Sequence, residues 1–329
     1  MEKTLLVTCH APEAVRAAIE EGLAGAARIL FLEDAEPESR GAVLSSASAL
    51  LSFFFNREVK EEEYPLLEET EIFQSISTGL DFLPFERMPK KMILACNAGG
   101  WAPQIAEHTI ALLLALSRRL IPLHNDLVKG VFNRQGYAPI SLRGKIMTVA
   151  GYGGIGRMTA DLARGFGMRI RALNTSGKTD GNVDFAGTLN DLHAVLPDTD
   201  VLLLSLPLNR HTKGVIGKTE LDLMKKNAIL LNVARAPLVV EEDLYNHLKE
   251  HPDFQAGLDV WWKEPTWGGG DFDLDHPFLE LSNVAGSPHN SNRCENDMVI
   301  ASRAAAANLA AYFRGEKISG LIRREDYIE

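Results

Sequence analysis

Two apolar patterns alternate along most of the chain. Short, nearly continuous apolar runs, typical of parallel strands covered on both faces, alternate with segments whose apolar residues recur at helical spacing. In residues 1–97 the predicted strands are Leu5–Thr8, Ala27–Phe31, Ala49–Phe55, Ile72–Ile76 and Met92–Cys96. From Ile146 onward the alternation repeats more regularly, and further strands are predicted at Val201–Leu206, Ala228–Val233 and Gln255–Asp259. This alternation is typical of α/β domains built on parallel sheets.

The predicted helices divide this pattern into two domains. A long helix begins near Ala102, and an alanine-rich helix covers Asn292–Phe313. Shorter helices are predicted at Lys218–Lys225 and Glu241–His251. We interpret the two long helices as the crossings between two α/β domains, and we expect ligand to bind between the domains, over the carboxyl ends of the strands.

The strongest local feature is a glycine-rich turn between the strand that starts at Ile146 and a helix that starts near Ile155. Gly151, Gly153 and Gly156 have the spacing of the dinucleotide-binding fingerprint. The first glycine permits a tight turn, the second lets backbone N–H groups approach a pyrophosphate, and the third lets the helix pack closely on the strand. The helix N-terminus adds free donors and a positive dipole. The turn predicts a dinucleotide site, and a purely structural turn is the alternative.

Composition and charge argue against several other classes. The chain has 329 residues, which suits two domains, and it is 46% hydrophobic with a formal net charge of -10. Nucleic acid is not expected as a partner, because phosphate binding needs an excess of basic residues. The scattered cysteines Cys9, Cys96 and Cys294 predict neither disulfides nor a metal site, and they fit a reducing compartment. The apolar segment Ile105–Leu120 contains charged side chains, so we expect a buried helix of a cytoplasmic protein, not a membrane span.

Three side chains that could take part in binding or catalysis follow predicted strands downstream of the glycine turn. Arg235 comes just past a strand, where its planar guanidinium could hold a carboxylate through two parallel hydrogen bonds. Glu264 lies in a loop fixed by Pro265, and His289 follows a proline and is a natural proton donor near neutral pH. Taken singly, Arg235 is more often a surface side chain and His289 a structural or solvent-facing one, and Glu264 could simply be solvated. Four of the other histidines are expected at the surface: His211, His247, His251 and His276.

Together these motifs resemble the D-2-hydroxyacid dehydrogenase family over nearly the whole chain. The resembling segments occur in the family's order: Asn232-Val233-Ala234-Arg235, Leu258-Asp259-Val260 with Glu264-Pro265, and Ser287-Pro288-His289. Two upstream segments are also similar to family motifs: Ser77-Thr78-Gly79-Leu80-Asp81 and Gln104-Ile105-Ala106-Glu107-His108. The resemblance implies an α/β fold with two doubly wound parallel sheets. A Rossmann cofactor domain (101–290) would be inserted in a flavodoxin-like substrate domain (1–100 and 291–329).

The resemblance also implies roles in the reduction of a 2-keto acid by a nicotinamide cofactor. Arg235 would bind the substrate carboxylate and polarise the keto oxygen, His289 would be the acid/base, and Glu264 would favour its protonated form. Backbone N–H groups of Thr78 and Gly79 would also hold the carboxylate. Asp259 is implied to lie against the nicotinamide. The other implied cofactor-binding residues are Gly151, Gly153, Gly154, Ile155, Gly156, Asn174, Thr175, Ser176, Lys178, Pro207, Thr212 and Val233.

Asn174, at the end of the second strand of the cofactor domain, departs from the family pattern. An NAD-preferring enzyme usually has an aspartate there, which binds the ribose hydroxyls and repels a 2′-phosphate. Asn174 removes that repulsion, and Thr175, Ser176 and Lys178 offer donors and a positive charge. This favours NADP(H), whereas NAD(H) remains possible if Asn174 still binds the ribose.

The remaining expectations concern substrate and assembly. Glu264 argues against the formate-oxidising branch, and the absence of an additional C-terminal domain argues against the phosphoglycerate-oxidising branch. Glyoxylate, hydroxypyruvate and pyruvate remain candidate substrates. A non-catalytic NAD(P)-sensing interaction protein of the same fold is the alternative function. The resemblance implies a homodimer formed through the cofactor domains, and the apolar run Ile110–Leu116 fits either that interface or an intramolecular core. The glycine-rich loop 266–273 is interpreted as either a lid or a surface loop.

Overall fold

A computed structural model describes residues 3–265 and 269–328 of the chain. The chain divides into two compact units: Met1–Trp101 with Cys294–Glu329, here called unit 1, and Ala102–Arg293, here called unit 2. Unit 2 is thus inserted in the sequence of unit 1. Within the described ranges, no helix has both the length and the apolar character that crossing a membrane requires.

The described residues form twelve strands and ten α-helices. The strands are β1 (Thr4–Val7), β2 (Arg28–Phe31), β3 (Ala49–Ser52), β4 (Ile72–Ser75), β5 (Ile93–Ala95), β6 (Ile146–Ala150), β7 (Arg169–Leu173), β8 (Phe185–Gly187), β9 (Val201–Leu204), β10 (Ile229–Asn232), β11 (Gln255–Leu258) and β12 (Val284–Gly286). The helices are α1 (Glu13–Leu23), α2 (Arg40–Ser45), α3 (Phe55–Glu58), α4 (Ala102–Ser117), α5 (Leu120–Val128), α6 (Gly154–Gly165), α7 (Leu192–Val195), α8 (Lys218–Leu223), α9 (Glu241–Glu250) and α10 (Asp297–Phe313).

Each unit contains one sheet, and all strand pairings are parallel. The sheet of unit 1 has the order β2-β1-β3-β4-β5, which is the flavodoxin-like doubly wound order. The sheet of unit 2 has the order β12-β11-β10-β9-β6-β7-β8. This is the Rossmann order, with its switch point between β6 and β9, extended by one edge strand. The predicted fold class is confirmed.

The strands of unit 2 read as apolar runs because helices cover both faces of the sheet. Every residue of β9 and β10 is at most 1% exposed. Helix α4 packs beside α6 and over β10 to β12. Gly257 in β11 permits this approach, since a Cβ there would lie 3.1 Å from the side chain of Leu116. The run Ile110–Leu116 is mostly buried in unit 2 itself, so the intramolecular alternative explains its apolar character.

The strand predicted over Ala49–Phe55 is too long because the half-buried carboxylate of Glu58 turns the chain. Strand β3 ends at Ser52, and the chain then enters α3. Glu58 in α3 accepts hydrogen bonds from Ser52 Oγ at 2.6 Å and from the backbone N–H of Phe54 at 2.6 Å. These bonds satisfy backbone and side-chain donors at the strand end, so the apolar residues beyond Ser52 do not continue the strand.

Two further predictions are wrong for local reasons. The helix predicted from Asn292 begins only at Asp297, because Asn296 has a φ of +60°, outside the helical region. His247 was expected at the surface but is 9% exposed. Its ring packs edge-on against Phe254, with 4.6 Å between centroids, and this burial lowers the pKa of the imidazole.

Candidate active site

The carboxyl ends of the seven strands in the sheet of unit 2 are in register. The pairings align Ala150 with Leu173 and Leu204, Leu173 with Gly187, Leu204 with Asn232, Asn232 with Leu258, and Leu258 with Gly286. The residues that directly follow β6, β7, β9, β10, β11 and β12 therefore lie along one edge of the sheet: Gly151, Asn174, Ser205, Val233, Asp259 and Ser287. This is the edge at which open α/β sheets bind ligands.

The glycine-rich turn has the close contacts that its spacing predicts. Gly151 has a φ of +100°, and a Cβ on it would lie 2.4 Å from the carbonyl oxygen of Ser205. A Cβ on Gly156 would lie 2.3 Å from the carbonyl oxygen of Gly151. Neither position has room for a side chain. Ser205, which the sequence did not single out, holds the turn by donating its hydroxyl to the Gly151 carbonyl at 2.7 Å.

The start of α6 fits a pyrophosphate. Gly153 is the N-cap and is exposed, and a Cβ on it would meet no atom within 4 Å. Gly154 is exposed and Ile155 half-buried. Among the described residues, no side chain caps this helix end, and its first turn contains no acidic residue. The free N–H donors and the positive end of the helix dipole thus remain available for an anion.

Asn174 is engaged by its own loop. Its Oδ1 accepts hydrogen bonds from the backbone N–H groups of Ser176 at 3.0 Å and Gly177 at 2.8 Å, and from the Ser176 hydroxyl at 3.0 Å. Its Nδ2 donates to the carbonyl oxygen of Lys178 at 2.8 Å. Thr175, Ser176 and Lys178 are exposed. The amide therefore shapes the loop after β7 and leaves its neighbours accessible.

The other predicted cofactor-binding residues of unit 2 lie in the loops that follow β9 and β10. Thr212 is 5% exposed, and its hydroxyl donates to the carbonyl oxygen of Pro207 at 2.6 Å, which closes the loop after β9. Val233 follows β10 and is 5% exposed. Thr78 and Gly79 belong to unit 1, where both are half-buried in the loop that follows β4.

Arg235 is positioned by a turn that Asn232 stabilises. The Asn232 side chain is fully buried, and its Oδ1 accepts the N–H of Ala234 at 3.1 Å while its Nδ2 donates to the carbonyl oxygen of Arg235 at 2.9 Å. The Arg235 guanidinium is half-buried and donates from Nη1 to the Ala234 carbonyl at 2.8 Å. Asn232 is thus a positioning residue, and the sequence showed it only as part of the arginine motif.

Glu264 and His289 form a direct pair. The Glu264 Oε2 lies 2.7 Å from Nδ1 of His289, and the Glu264 Oε1 accepts the backbone N–H of Trp261 at 2.9 Å. Burial raises the pKa of the Glu264 carboxyl. Three neighbours outweigh this effect of burial: the hydrogen bond and charge of His289, the N–H of Trp261 and the charge of Arg235. The pKa of Glu264 therefore lies below its usual range. Nδ1 faces Glu264, and Nε2 lies on the other side of the ring.

A histidine–glutamate pair alone does not identify an active site in this chain. His10 and His193 each contact a glutamate, Glu33 and Glu220 respectively, at 2.6 Å. His289 differs from both because it follows the aligned strand ends and because Arg235 acts on its partner.

The backbone of His289 distinguishes it further. His289 has a φ of +50°, in the left-handed region that costs a non-glycine residue free energy. Among the described non-glycine residues with positive φ, the other three cap helix ends: Ala24, Arg119 and Asn296. Only His289 adopts this conformation within a loop, which indicates that its surroundings hold it there.

Asp259 holds both flanks of His289. The Asp259 carboxylate is fully buried, and its Oδ1 accepts the Ser287 hydroxyl at 2.6 Å and the N–H of Asn290 at 3.1 Å. Its Oδ2 accepts the N–H of Ser291 at 3.1 Å. One carboxylate thus ties residues before and after His289 to the end of β11. The placement against the nicotinamide that the resemblance implies stays a prediction.

A cavity of about 530 Å³ borders the histidine within unit 2. His289 and Glu264 form part of its wall, and Trp261, Phe272 and Pro288 supply apolar surface. Phe272 packs edge-on against Trp261, with 5.3 Å between ring centroids. Of the glycine-rich loop interpreted as a lid or a surface loop, residues 266–268 lie outside the described ranges.

The shifted carboxyl pKa values predict opposite stability effects for two glutamates. The pKa of Glu264 in the folded protein is below its ordinary 4.5, so this group stabilises the fold above that value, and its contribution is lost as the pH falls through the folded pKa. Glu241 has a raised pKa because of burial and the charge of Asp275, and its buried Oε1 has no hydrogen-bond partner among the described residues. The ionised Glu241 therefore lowers the stability of the fold at neutral pH. That cost disappears as the pH falls to the pKa that Glu241 has in the unfolded chain.

We expect Glu264→Gln to lower Tm at pH 7 and Glu241→Gln to raise it. The Glu241 difference should disappear as the pH falls toward the ordinary carboxyl pKa of about 4.3, whereas the Glu264 difference should shrink only below it. Thermal unfolding followed by circular dichroism between pH 3 and 7.5 measures both. Shifts of the same sign at pH 7 would contradict the assignment.

Comparison with known proteins agrees with this geometry. The sequence model of the D-isomer specific 2-hydroxyacid dehydrogenase NAD binding domain matches residues 110–291. A glyoxylate reductase of Thermococcus litoralis is 29% identical over 306 residues, covering 89% of each chain. A D-3-phosphoglycerate dehydrogenase of Methanocaldococcus jannaschii is 31% identical over 257 residues, which is 78% of this chain and 48% of that relative, so the chain spans about half its length.

A solved structure is similar over the full length. The crystal structure of a protein from Pyrobaculum aerophilum, provisionally named a formate dehydrogenase, has a TM-score of 0.81 and 28% identity, and the match covers 100% of both chains. More than half of this chain matches the family's cofactor domain, and the two-sheet architecture matches throughout. The protein belongs to the D-isomer specific 2-hydroxyacid dehydrogenase family.

Proposed function

We propose that this enzyme reduces a small 2-keto acid to the D-2-hydroxy acid with NADPH, and that Arg235, Glu264 and His289 do the chemistry. The observation that supports the proposal is the 2.7 Å Glu264–His289 pair, within the electrostatic influence of Arg235 and on the same sheet edge as the dinucleotide turn. The family's reaction is hydride transfer between a nicotinamide cofactor and the C2 carbon of such acids.

The arrangement accounts for each requirement of that reaction. A bound nicotinamide would supply the hydride, and the exposed start of α6 would hold its pyrophosphate. Arg235 binds the substrate carboxylate in two-pronged fashion and keeps C2 in register. As negative charge develops on the keto oxygen, His289 donates a proton to it from Nε2. The Glu264 carboxylate stabilises the imidazolium form of His289 that carries this proton.

The test is a substrate panel. The purified enzyme is mixed with NADPH or NADH and with glyoxylate, hydroxypyruvate, pyruvate or 2-oxoisovalerate, and the loss of absorbance at the nicotinamide band is followed. The last acid has an apolar side chain that probes the cavity beside His289. Turnover with at least one acid supports the proposal. Tight cofactor binding without turnover of any would favour an NAD(P)-sensing protein instead.

The geometry of the loop after β7 supports the NADPH preference. The Oδ1 of Asn174 already accepts three hydrogen bonds from its own loop, so it is poorly placed to accept from a ribose hydroxyl as an aspartate would. Asn174 also has no charge to repel a 2′-phosphate. The exposed Ser176 hydroxyl and Lys178 ammonium lie in the same loop and offer a donor and a positive charge to that phosphate.

Asn174→Asp is expected to shift the kcat/KM ratio of NADPH over NADH toward NADH by about tenfold or more, since even a screened repulsion of 1.4 kcal/mol has that effect. Asn182→Asp, an exposed change of the same charge in the segment between β7 and β8, is the control and should leave the ratio within about twofold. Binding of 2′,5′-ADP gives a readout without turnover. A parent that prefers NADH would contradict the cofactor proposal.

We also propose that the enzyme is a homodimer formed through unit 2. Helix α5 and the residues after it expose large apolar side chains: Leu120, Ile121, Leu127, Val128, Val131 and Phe132. Val128 is 73% and Phe132 81% exposed. A cluster of this kind marks an association surface more often than a free one.

Phe132→Asp should weaken such a dimer by about 10-fold or more, because burial of a phenylalanine contributes roughly 1.5–3 kcal/mol. Phe166→Asp changes a similarly apolar but separate exposed position, at the end of α6, and serves as control. Light scattering over a dilution series measures both. A parent that remains monomeric and active at high concentration would exclude the dimer.

A further inference from the structure

His108 makes a hydrogen bond to the loop that contains His289. It lies on α4, with 26% of its side chain exposed, and its Nε2 is 2.8 Å from the hydroxyl oxygen of Ser287. The Ser287 hydroxyl donates its one hydrogen to Asp259 Oδ1 at 2.6 Å. The oxygen of Ser287 is therefore left only as an acceptor toward the ring. His108 must carry a hydrogen on Nε2 and donate it to Ser287.

This donation fixes a hydroxyl that otherwise has several choices. A serine hydroxyl rotates among staggered positions at little cost. Only the position directed at Asp259 completes the set of donors that ties Ser287, Asn290 and Ser291 to one carboxylate. The donor on α4 approaches the same oxygen, so the hydroxyl hydrogen cannot point toward His108, and this favours the position directed at Asp259 over the others.

The bonds to Asp259 lie on both sides of the unfavourable backbone conformation of His289. They attach residues on both sides of a backbone with a φ of +50°. Loss of one attachment lets that backbone relax and moves the imidazole. A catalytic group displaced by about 1 Å commonly loses on the order of 100-fold in rate.

His108 also compensates a buried charge. The Asp259 carboxylate is fully buried, and the His108 Nε2 lies 3.7 Å from its Oδ1. Such a group needs hydrogen bonds or an opposite charge to remain in the interior. His108 supplies the polar environment from α4, the first helix of unit 2, whereas all three direct donors come from the His289 loop.

We propose that His108 is a positioning residue for the acid/base His289. By donating a hydrogen bond from Nε2 to Ser287, His108 stabilises the bonds to Asp259, and these bonds determine the orientation of the His289 imidazole. The inference rests on the proposed role of His289 as proton donor. It adds to the determinants of the rate a side chain that acts through Ser287 and Asp259.

The test compares His108→Ala with His108→Gln. Glutamine places an amide N–H near the position of the imidazole Nε2 and keeps the donor, whereas alanine removes it. We expect kcat to fall about 10- to 100-fold in the alanine variant with the KM for NADPH changed less than about twofold, because the glycine turn is untouched. The glutamine variant should recover to within about fivefold of the parent.

A readout without turnover separates this proposal from the proposed function. Amide hydrogen exchange of the peptide that includes Asn290 and Ser291 should quicken about tenfold in His108→Ala and return toward the parent rate in His108→Gln. His193→Ala, which removes a histidine from a surface pair, is the control and should change neither readout.

The outcomes are distinct. Faster exchange in His108→Ala with rescue by glutamine supports positioning, even if the parent turns over no 2-keto acid and the proposed function fails. Unchanged exchange overturns the proposal whatever the activity. An equal loss of kcat in the alanine and glutamine variants also overturns the proposal, because the effect would then come from packing or charge and not from the donated hydrogen bond.

Discussion

Replacement of His289 by alanine is expected to lower kcat about 100- to 10,000-fold, the range typical of a lost general acid. The reason is that hydride transfer leaves negative charge on the keto oxygen, and no other described side chain bonded to Glu264 can supply a proton there. Binding of NADPH should change less than about twofold, since the residues of the glycine turn lie after β6 and not after β12. Single-turnover kinetics and cofactor fluorescence measure the two effects separately.

His193→Ala is the matched control for this experiment. It also removes a histidine bonded to a glutamate at 2.6 Å, but it lies in α7 and not in the loop that follows β12. We expect it to keep near-parental kcat. Near-parental activity in His289→Ala would show that the pair with Glu264 is structural, as the pairs of His10 and His193 are.

Arg235→Lys is expected to lower kcat/KM about 10- to 100-fold, which corresponds to the loss of one charged hydrogen bond of roughly 1.5–3 kcal/mol. Lysine keeps the positive charge near Glu264 but cannot hold a carboxylate with two parallel bonds. It also loses the Nη1 bond to the Ala234 carbonyl that fixes the side chain's direction. The KM for the keto acid should therefore rise, and kcat should fall.

Arg303→Lys controls for a general arginine-to-lysine effect. Arg303 forms an exposed ion pair with Glu21 in unit 1, and such pairs contribute little. Steady-state kinetics with saturating NADPH compare the two variants. If Arg235→Lys retained the parental kcat/KM for every accepted acid, the substrate carboxylate would have to bind elsewhere.

The fold class could be predicted because the information for it is local. Strands covered on both faces are apolar without interruption, and the close contacts of Gly151 and Gly156 leave room only for glycine. The strand ends in unit 2 are aligned in register. Motifs that follow separate strands therefore lie along one edge of the sheet, and this can be predicted without knowledge of individual tertiary contacts. The prediction that groups Arg235, Glu264 and His289 depends on this alignment together with the family resemblance, and their catalytic roles stay a prediction.

What could not be predicted depends on contacts between distant residues. No local pattern indicates that Glu58 ends β3, or that the Oδ1 of Asn174 accepts hydrogen bonds from its own loop. His108 and Ser287 are 179 positions apart, and only the packing of α4 on the sheet brings them within 2.8 Å. Burial of His247 likewise follows from the ring of Phe254 that covers it.

The left-handed backbone of His289 has a consequence for how this enzyme can change. Glycine adopts that conformation without the penalty of about 1 kcal/mol that a side chain incurs, so His289→Gly should be more stable than His289→Ala while equally inactive. A search for stabilised variants that ignored activity would tend to remove the histidine. On the proposed role of His289 as proton donor, this position has a lower stability than glycine would give it in exchange for activity, and engineering for heat resistance should leave it unchanged.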